Sequence, residues 1–344
     1  MELPLRGLTF VEFAGIGPAP LAAMMLADMG ATGIRIESPN PGLGFGDPSR
    51  DITRRGRATR TLDLKDATGR DIALDLLTDA DLLIEGFRPG VMERLGLGPV
   101  DVARRNPRCV YGRVTGWGQD GPLAERAGHD LNYIAVAGVL AHIARRGQPP
   151  TPPLNLVGDG AAGTMLLLVG VLAALWSAQR TGRGQVVDAA IVDGSAVLMA
   201  LFQSMAQQAL WQDEAGVNLL DSGAPFYDVY RTRDGRWMAV ACLEPKFFRR
   251  CLDLLAMDPA WGDRQYDPGA WDALRSAFAE RFGARTQQEW THVFEGSDAC
   301  VTPVLTMHEA AHHPHMAARG VFREEGGFVV PAPAPRFSTP TMHT

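Results

Sequence analysis

Residues 8–38, LTFVEFAGIGPAPLAAMMLADMGATGIRIES, decide the fold of this protein. Residues 8–14 predict a strand, residues 20–30 predict a helix that ends at Gly30, and residues 33–38 predict a second strand. A strand, a helix and a strand in close succession form a βαβ unit, whose two strands run parallel because the helix crosses back over the sheet. The stretch therefore predicts an α/β fold built on a parallel sheet.

The same alternation continues along the chain. Apolar residues at strand spacing recur in 59–64, 80–87, 109–116 and 186–191. Apolar residues at helical spacing recur in 65–77, 130–144, 160–179 and 192–212. Residues 161–178, AAGTMLLLVGVLAALWSA, are near the shortest length that crosses a membrane, and we interpret them as a buried core helix.

The sequence changes character after residue 220. Residues 225–244 predict a hairpin that turns at Asp234-Gly235, and residues 246–257 and 273–283 predict helices. We therefore expect a second, smaller α+β domain. Residues 326–340, GGFVVPAPAPRFSTP, are rich in proline and glycine, so we expect an irregular surface segment there.

Composition narrows the class of protein. With 344 residues, 46% of them hydrophobic, the chain can bury two domain cores, and its formal net charge of -6 argues against nucleic acid as the main partner. The N-terminal residues lack a signal-peptide pattern. The cysteines lack the spacing of metal or redox motifs and are typical of reduced thiols: Cys109, Cys242, Cys251 and Cys300. We expect a cytoplasmic protein without membrane or nucleic-acid partners.

Two local motifs allow a binding and a structural interpretation. Residues 15–18, GIGP, follow the first strand and Glu37 ends the second, but the third glycine of a dinucleotide motif is missing. We therefore interpret these glycines as a means of packing the helix closely on the strand. Five arginines form either a solvated surface or a site for a phosphorylated ligand: Arg50, Arg54, Arg55, Arg57 and Arg60.

Residues 308–312, HEAAH, match the HExxH pattern of zinc hydrolases, in which two histidines hold zinc and the glutamate activates water. His313 and His315 lie too close in sequence to supply a standard third ligand, and Pro314 ends the helix directly after the motif. We therefore expect no metal site, and a zinc hydrolase remains a distant alternative.

Three titratable residues at the ends of predicted elements form the strongest candidate site. His129 begins one predicted helix, Asp159 begins the next, and Glu244 ends a strand of the second domain. Structural roles are also open, since Asp130 can cap the helix after His129 and Asp159 is in an N-cap position. Glu244 in turn can open the helix at Pro245. A helix N-terminus lowers the pKa of a carboxylate whereas burial raises it, and the sequence does not decide between these effects.

Long strings of the sequence resemble the alpha-methylacyl-CoA racemase family of the class III CoA-transferase superfamily (CaiB/BaiF type). The strings are AGHDLNY (127–133), PPLNLVGDGAAG (152–163), TGRGQVVDAAIVDG (181–194), LLDSGAPFYDVYRTRDG (219–235) and LEPKFF (243–248). The resemblance implies a Rossmann-like large domain over 1–190, completed by about 315–344, a helical linker over 191–219 and a small domain over 220–314. It also implies an interlocked homodimer whose active site lies where the domains of two subunits meet.

The resemblance further implies roles for individual residues. His129 and Asp159 correspond to two bases that exchange the α-proton of an acyl-CoA thioester, Glu244 to the carboxylate that orients the histidine, and Asn155 to an amide near the aspartate. Coenzyme A contacts correspond to Leu62, Asp63, Leu64, Lys65, Glu85, Gly86, Phe87, Arg88, Arg94, Gly128, Asp130, Leu131, Asn132 and Tyr133. Ser38 stands where many racemases have an arginine of the adenine and phosphate site, and the candidates to replace it are Arg54, Arg55 and Arg57.

The chemistry fits these residues, because inversion at an α-carbon needs one base on each face and stabilisation of an enolate-like intermediate. We expect interconversion of (2R)- and (2S)-2-methylacyl-CoA without a cofactor, since coenzyme A is part of the substrate. The nearest alternative is a CoA transferase with Asp159 as nucleophile, although such relatives usually carry an apolar residue in place of His129. A non-catalytic acyl-CoA-binding module is a further alternative.

Overall fold

The computed structural model describes residues 2–40, 42, 44 and 46–339, and the chain divides into two compact units. The first unit comprises Met1–Val139, Pro152–Ala200 and Arg323–Thr344, and the second comprises Leu140–Thr151 and Leu201–Phe322. These boundaries differ from the expected ones. Residues 191–200, expected in a linker, belong to the first unit because Ile191 and Gly194 are buried there, with Gly194 against the backbone of Ala162.

The elements follow one another in this order. The first part holds β1 (Thr9–Phe13), α1 (Pro18–Asp28), β2 (Thr32–Glu37), β3 (Arg57–Thr61), α2 (Ala67–Thr78), β4 (Leu82–Glu85), α3 (Val91–Arg94), α4 (Pro99–Arg105), β5 (Val110–Thr115), α5 (Asp130–Val136), a π-helix (Leu156–Met165), α6 (Leu166–Thr181), β6 (Val186–Ala190) and α7 (Ile191–Leu198). The remainder holds α8 (Ala200–Gln207), β7 (Tyr227–Arg231), β8 (Trp237–Ala241), α9 (Pro245–Leu254), α10 (Trp271–Gly283), α11 (Gln287–Phe294), β9 (Val301–Pro303), α12 (Met307–His312), α13 (Pro314–Arg319), β10 (Phe322–Glu325) and β11 (Phe328–Pro331). Short 3-10 turns lie at Pro48–Arg50, Ile52–Arg54, Leu140–His142, Pro259–Arg264 and Pro268–Ala270.

The first unit is built on a six-stranded parallel sheet of order β3-β2-β1-β4-β5-β6. Val11 of β1 pairs with Ile34 of β2 and Leu83 of β4. This is the strand order of Rossmann-like folds, and the α/β fold predicted from residues 8–38 is confirmed. All the carboxyl ends of the strands therefore meet at one edge of the sheet.

Strand residues of this sheet alternate between two buried faces. Phe10 and Ile84 pack with residues of α1 and α6 on one face, whereas Val11 and Leu83 pack with residues of α2 and α4 on the other. Among the described residues one helix, Leu156–Thr181, is long and apolar enough to cross a membrane, with mean hydropathy 2.0 and 50% of that window buried. The interpretation of 161–178 as a core helix holds for the face that carries Leu167 and Val171.

The second unit contains a three-stranded antiparallel sheet of order β7-β8-β9. The predicted hairpin is present, and its turn includes Gly235 at a φ of 77°. Helices α9, α10 and α11 cover the sheet with an aromatic core whose members include Phe226, Phe248, Phe278, Phe282 and Trp290.

Three sequence predictions differ from the structure. The helix predicted over 130–144 ends at Val136, close to Gly138 with its φ of 81°. The helix predicted over 192–212 is divided into α7 and α8. The prediction of an irregular segment over 326–340 was wrong for β11, which pairs with β10 through a turn at Gly326 and Gly327 and buries Val330.

Phe278 is fully buried against the rings of Tyr230, Phe248 and Phe282. Phe278→Ala removes these contacts and leaves a cavity, so we expect the free energy of unfolding to fall by about 3–5 kcal/mol. Phe328→Ala is the control, because its side chain is 51% exposed, and we expect it to cost less than about 1 kcal/mol. Equal losses for the two variants in urea unfolding would contradict this assignment of the core.

Candidate active site

The carboxyl edge of the parallel sheet is where open α/β folds bind ligands. Gly15–Gly17 follow β1, Leu62–Lys65 follow β3, Gly86–Arg88 follow β4, and Trp117 lies just after β5. Two helix starts reach the same edge. The π-helix brings Asp159 beside Gly17, and α5 brings Tyr133 against Gly116. Most of the residues that the sequence predicted for the site are therefore gathered in the first unit.

His129 occupies the N-cap position of α5 with an extended backbone. Its backbone N–H donates to Asn132 Oδ1 at 3.0 Å, while its own side chain makes no capping hydrogen bond and the residue is exposed. Asp130, for which capping this helix was an open structural alternative, is instead the first helical residue, and its Oδ2 accepts the backbone N–H of Asp159 at 2.7 Å. The imidazole is thus left available at the helix start.

Asp159 lies in the first turn of the π-helix rather than at the predicted N-cap, which Asn155 occupies. Asn155 Nδ2 donates to Asp159 Oδ2 at 3.3 Å, and the Thr164 hydroxyl donates to the Asp159 carbonyl oxygen at 2.8 Å. π-Helical turns are rare and frequently accompany functional sites. The turn fixes the Asp159 backbone and leaves its carboxylate half-buried at the edge of the sheet.

The pKa of the Asp159 carboxyl is raised above its ordinary value. Burial is the largest cause, and the negative charge of Asp130 acts in the same direction, whereas the hydrogen bond from Asn155 and the charge of His129 lower the pKa. Burial therefore exceeds the opposing effects, which the sequence left open. A carboxylate of raised pKa is a stronger base.

Tyr133 connects the candidate base to the predicted coenzyme A residues. Its hydroxyl donates to the Gly128 carbonyl oxygen, and its ring meets the Trp117 ring edge-on with centroids 4.8 Å apart. Burial raises the pKa of the Tyr133 phenol, the charge of Asp159 raises it further, and the charge of Arg88 lowers it. Arg88 and Asp159 therefore each lie within electrostatic reach of Tyr133.

Gly17 is required by a close approach that the sequence interpretation missed. Its φ is 76°, and a Cβ added there would lie 3.2 Å from Asp159 Oδ2. The glycine thus serves the candidate base rather than only the packing of α1 on β1. Trp117, which packs against Gly128 and Tyr133, was also missed, because no motif or charge marked it.

The remaining coenzyme A candidates lie in the loop after β3 and in the short helices α3 and α5. Leu62 and Leu64 are half-buried and pack on the core, while the exposed Asp63 accepts the Lys65 backbone N–H at 3.0 Å. Arg94 ends α3 and is exposed. Leu131 and Asn132 lie in the first turn of α5, also exposed.

Glu85 anchors the loop that contains Gly86 and Arg88. Its fully buried carboxylate accepts the Phe87 backbone N–H at 2.7 Å and the Arg113 Nε–H at 3.0 Å. Burial raises the pKa of Glu85 to about 7, although the Phe87 amide and Arg113 act in the opposite direction. The carboxylate is thus a structural support beneath this loop.

Three arginines proposed for an anion site are committed to carboxylates instead. Their partners are Glu37 for Arg54 at 2.6 Å, Asp28 for Arg55 at 3.0 Å, and Glu12 for Arg57 at 3.0 Å. These ion pairs engage all three side chains within the first unit, with Glu12 and Glu37 each shared with Arg35. The suggestion that these arginines replace the one absent at Ser38 stays a prediction. Glu37 is likewise engaged by Arg35 and Arg54 rather than free for a ribose.

Glu244 and the HEAAH stretch lie in the second unit. Glu244 is the exposed N-cap residue of α9 ahead of Pro245, and its orienting role remains a prediction. In α12, the Thr306 backbone amide and Arg236 lower the pKa of Glu309 to about 2, and His312 Nδ1 lies 2.8 Å from the His308 carbonyl oxygen. Within the described residues no three acidic, cysteine or histidine side chains group as metal ligands. This arrangement does not fit a zinc hydrolase.

Comparisons of the sequence and of the structure with known proteins agree on one family. A sequence model of CoA-transferase family III matches residues 5–343. The chain is 42% identical to human alpha-methylacyl-CoA racemase (Homo sapiens) over 97% of its own length and 86% of that protein. It is 30% identical to acetyl-CoA:oxalate CoA-transferase of Acetobacter aceti over 95% of its own length and 87% of that protein. The crystal structure of a CaiB/BaiF family protein from Brucella suis shares the fold, with a TM-score of 0.82 and 24% identity. The match covers 98% of this chain and 93% of that protein.

Gly17→Ala tests the close approach to Asp159. A side chain there is strained at a φ of 76° and meets the Asp159 carboxylate, so we expect a loss of about 1–3 kcal/mol in the free energy of unfolding. Gly15→Ala is the matched control, since a Cβ at Gly15 meets nothing within 4 Å. Thermal unfolding measures both, and similar stabilities would show that Gly17 is not constrained.

Proposed function

Because the chain belongs to CoA-transferase family III, we propose that it is a racemase that interconverts (2R)- and (2S)-2-methylacyl-CoA thioesters. The observation that carries this proposal is the half-buried Asp159 carboxyl of raised pKa, on which the charge of His129 acts, at the ligand-binding edge of the sheet. The similarity to a racemase over nearly the whole chain supports the same reaction.

The reaction is a 1,1-proton transfer. One member of the His129–Asp159 pair takes the proton from C2, and the electrons of the C–H bond move into an enolate of the thioester. The other member returns a proton to the opposite face of C2. The two positioned groups contribute roughly 10²–10⁴-fold each, and the first-turn N–H groups of α5 are suited to stabilise the enolate oxygen.

Coenzyme A is proposed to lie along the loops after β3 and β4. Lys65, Arg88 and Arg94 are exposed cations in or next to these loops and supply charge for phosphate groups. We propose that no cofactor beyond the coenzyme A of the substrate takes part. The cytoplasmic location remains a prediction.

A homodimer is part of the proposal. Val169, Trp176 and Val197 of the first unit are 67%, 64% and 65% exposed, and such apolar side chains favour contact with a second copy.

The second candidate function is CoA transfer, supported by the similarity to acetyl-CoA:oxalate CoA-transferase. In that reaction the Asp159 carboxylate attacks the thioester carbonyl carbon, and the coenzyme A thiolate leaves as a mixed anhydride forms. The thiolate then attacks the Asp159 acyl carbon of the anhydride, which releases the first acid and forms a thioester between Asp159 and coenzyme A. A second acid attacks this thioester and displaces the thiolate as a new anhydride forms. The thiolate attacks the acyl carbon of the second acid, so the new acyl-CoA forms and the Asp159 carboxylate is restored. His129 has no part in these steps, so it distinguishes the two functions.

His129→Ala and Asp159→Ala each remove one base. We expect each variant to exchange the C2 proton roughly 10²–10⁴-fold more slowly than wild type, with coenzyme A binding retained. The measurement is ¹H NMR of (2R)- and (2S)-2-methylacyl-CoA in deuterated water, which follows deuterium entry at C2 and convergence of the epimers.

His312→Ala is the control for this experiment, because His312 is exposed on α12 and we expect wild-type exchange from it. Near-normal proton exchange by His129→Ala would contradict the assignment of His129 as one of the two bases. Transfer of coenzyme A to an added acid, without deuterium at C2, would establish the transferase.

Asn155→Ala removes the hydrogen bond that lowers the pKa of Asp159. The carboxyl then stays protonated to a higher pH, so we expect the acidic limb of the kcat/KM profile for proton exchange to move to higher pH. Asn40→Ala, at an exposed position, serves as the control. A limb that stays in place or moves to lower pH would contradict the role of this amide.

A further inference from the structure

Asp130 is a buried carboxylate that does not cap the helix it begins. The residue is 6% exposed, and its Oδ2 accepts the Asp159 backbone N–H at 2.7 Å. In the part of the chain that the structure describes, its Oδ1 is buried without a hydrogen-bond partner. Burying a half-satisfied carboxylate costs free energy, and helix capping offsets none of that cost here.

The contact serves the π-helix instead. The first N–H groups of a helix have no partner within it, and Asp130 satisfies the one that belongs to Asp159. The next amide, of Gly160, bonds within the turn to the Asn155 carbonyl oxygen at 3.1 Å. Gly158 makes room for the contact, because a Cβ there would lie 2.5 Å from Asp130 Oδ2. Asp130 thereby fixes the backbone from which the candidate base extends.

Asp130 also acts on Asp159 through its charge, which raises the pKa of the Asp159 carboxyl in addition to the larger effect of burial. The other titratable groups that face Asp159 are the His129 imidazole, which lowers that pKa, and the Tyr133 phenol. Three other helices pack against the π-helix, and each carries a charged residue. Asp28 on α1 is paired with Arg55, and Asp193 on α7 acts on Asp188. Arg180 lies in the last turn of α6.

We propose that Asp130 is a positioning residue for proton transfer, which holds the Asp159 backbone in place and acts on the Asp159 carboxylate electrostatically. The inference rests on the proposed function, because it takes Asp159 as one of the two bases. Asp130 is not itself a base in this scheme, since it is buried and one of its oxygens holds the Asp159 amide.

Asp130→Asn keeps an oxygen that accepts the Asp159 N–H and removes the charge. We expect the acidic limb of the kcat/KM profile for proton exchange to move to lower pH, and kcat/KM at neutral pH to fall about tenfold, because Asp159 becomes a weaker base. The Kd for coenzyme A stays within about twofold of wild type, because the Asp130 side chain, which the resemblance placed among the coenzyme A contacts, is buried against the Asp159 backbone instead. Asp71→Asn removes an exposed carboxylate of α2 and leaves the profile unchanged.

An acidic limb that does not move in Asp130→Asn would overturn the proposal. So would a loss of coenzyme A affinity as large as the loss in kcat/KM, because Asp130 would then be a ligand contact.

Gly158→Ala is the second variant and keeps both charges while its Cβ displaces the Asp130 carboxylate. We expect kcat to fall about tenfold or more with coenzyme A affinity retained, because a misplaced base transfers protons slowly. Wild-type kcat in folded Gly158→Ala would show that the contact is not needed. Failure of the proposed function gives a separate result: wild-type protein then exchanges no C2 proton at any pH, and the inference is overturned with it.

Discussion

A single hydrogen bond, from the Asp159 backbone N–H to the Asp130 carboxylate, ties the start of α5 to the first turn of the π-helix. His129 directly precedes Asp130, and Asp159 is itself the donor, so both candidate bases are attached to the ends of this contact. Neither helix start carries a base on a flexible loop. The separation of the two bases is therefore set by the backbone. Proton transfer requires bases whose positions are fixed in this way.

The carboxylates buried in the first unit differ in their partners. This difference distinguishes the carboxylates that support the sheet from the candidate base. Glu12 faces Arg35 and Arg57, and Glu85 faces Arg113, so each is paired with a cation inside the sheet. Asp159 has an amide for its hydrogen-bond partner and a second carboxylate nearby. The arginine-paired carboxylates act as supports inside the sheet, although burial raises the pKa of both Glu12 and Glu85. Asp159, which faces a like charge at the edge of the sheet, is suited to accept a proton.

The sheet could be predicted because its information is local. Alternation over residues 8–38 specified β1, α1 and β2, and the helix starts at His129 and Asp159 were visible as polar residues before apolar runs. The partners could not be predicted, because they join distant parts of the chain. Arg57, a candidate for an anion site, forms an ion pair with Glu12. Asp130, a candidate helix cap, accepts a hydrogen bond from the Asp159 backbone amide instead. Burial of Asp159, which decides the direction of its pKa shift, is also a property of the folded chain alone.

The most direct test of this account is the ionisation of the Asp159 carboxyl in the wild-type protein. ¹³C NMR of protein labelled at the aspartate carboxyl carbons follows it over a pH titration, and the signal missing from Asp159→Asn assigns it. The account predicts a midpoint above the ordinary value for aspartate, because burial and the Asp130 charge together exceed the effects of Asn155 and His129. A midpoint at or below the ordinary value would contradict it, since Asp159 would then be a weak base held ionised by its surroundings.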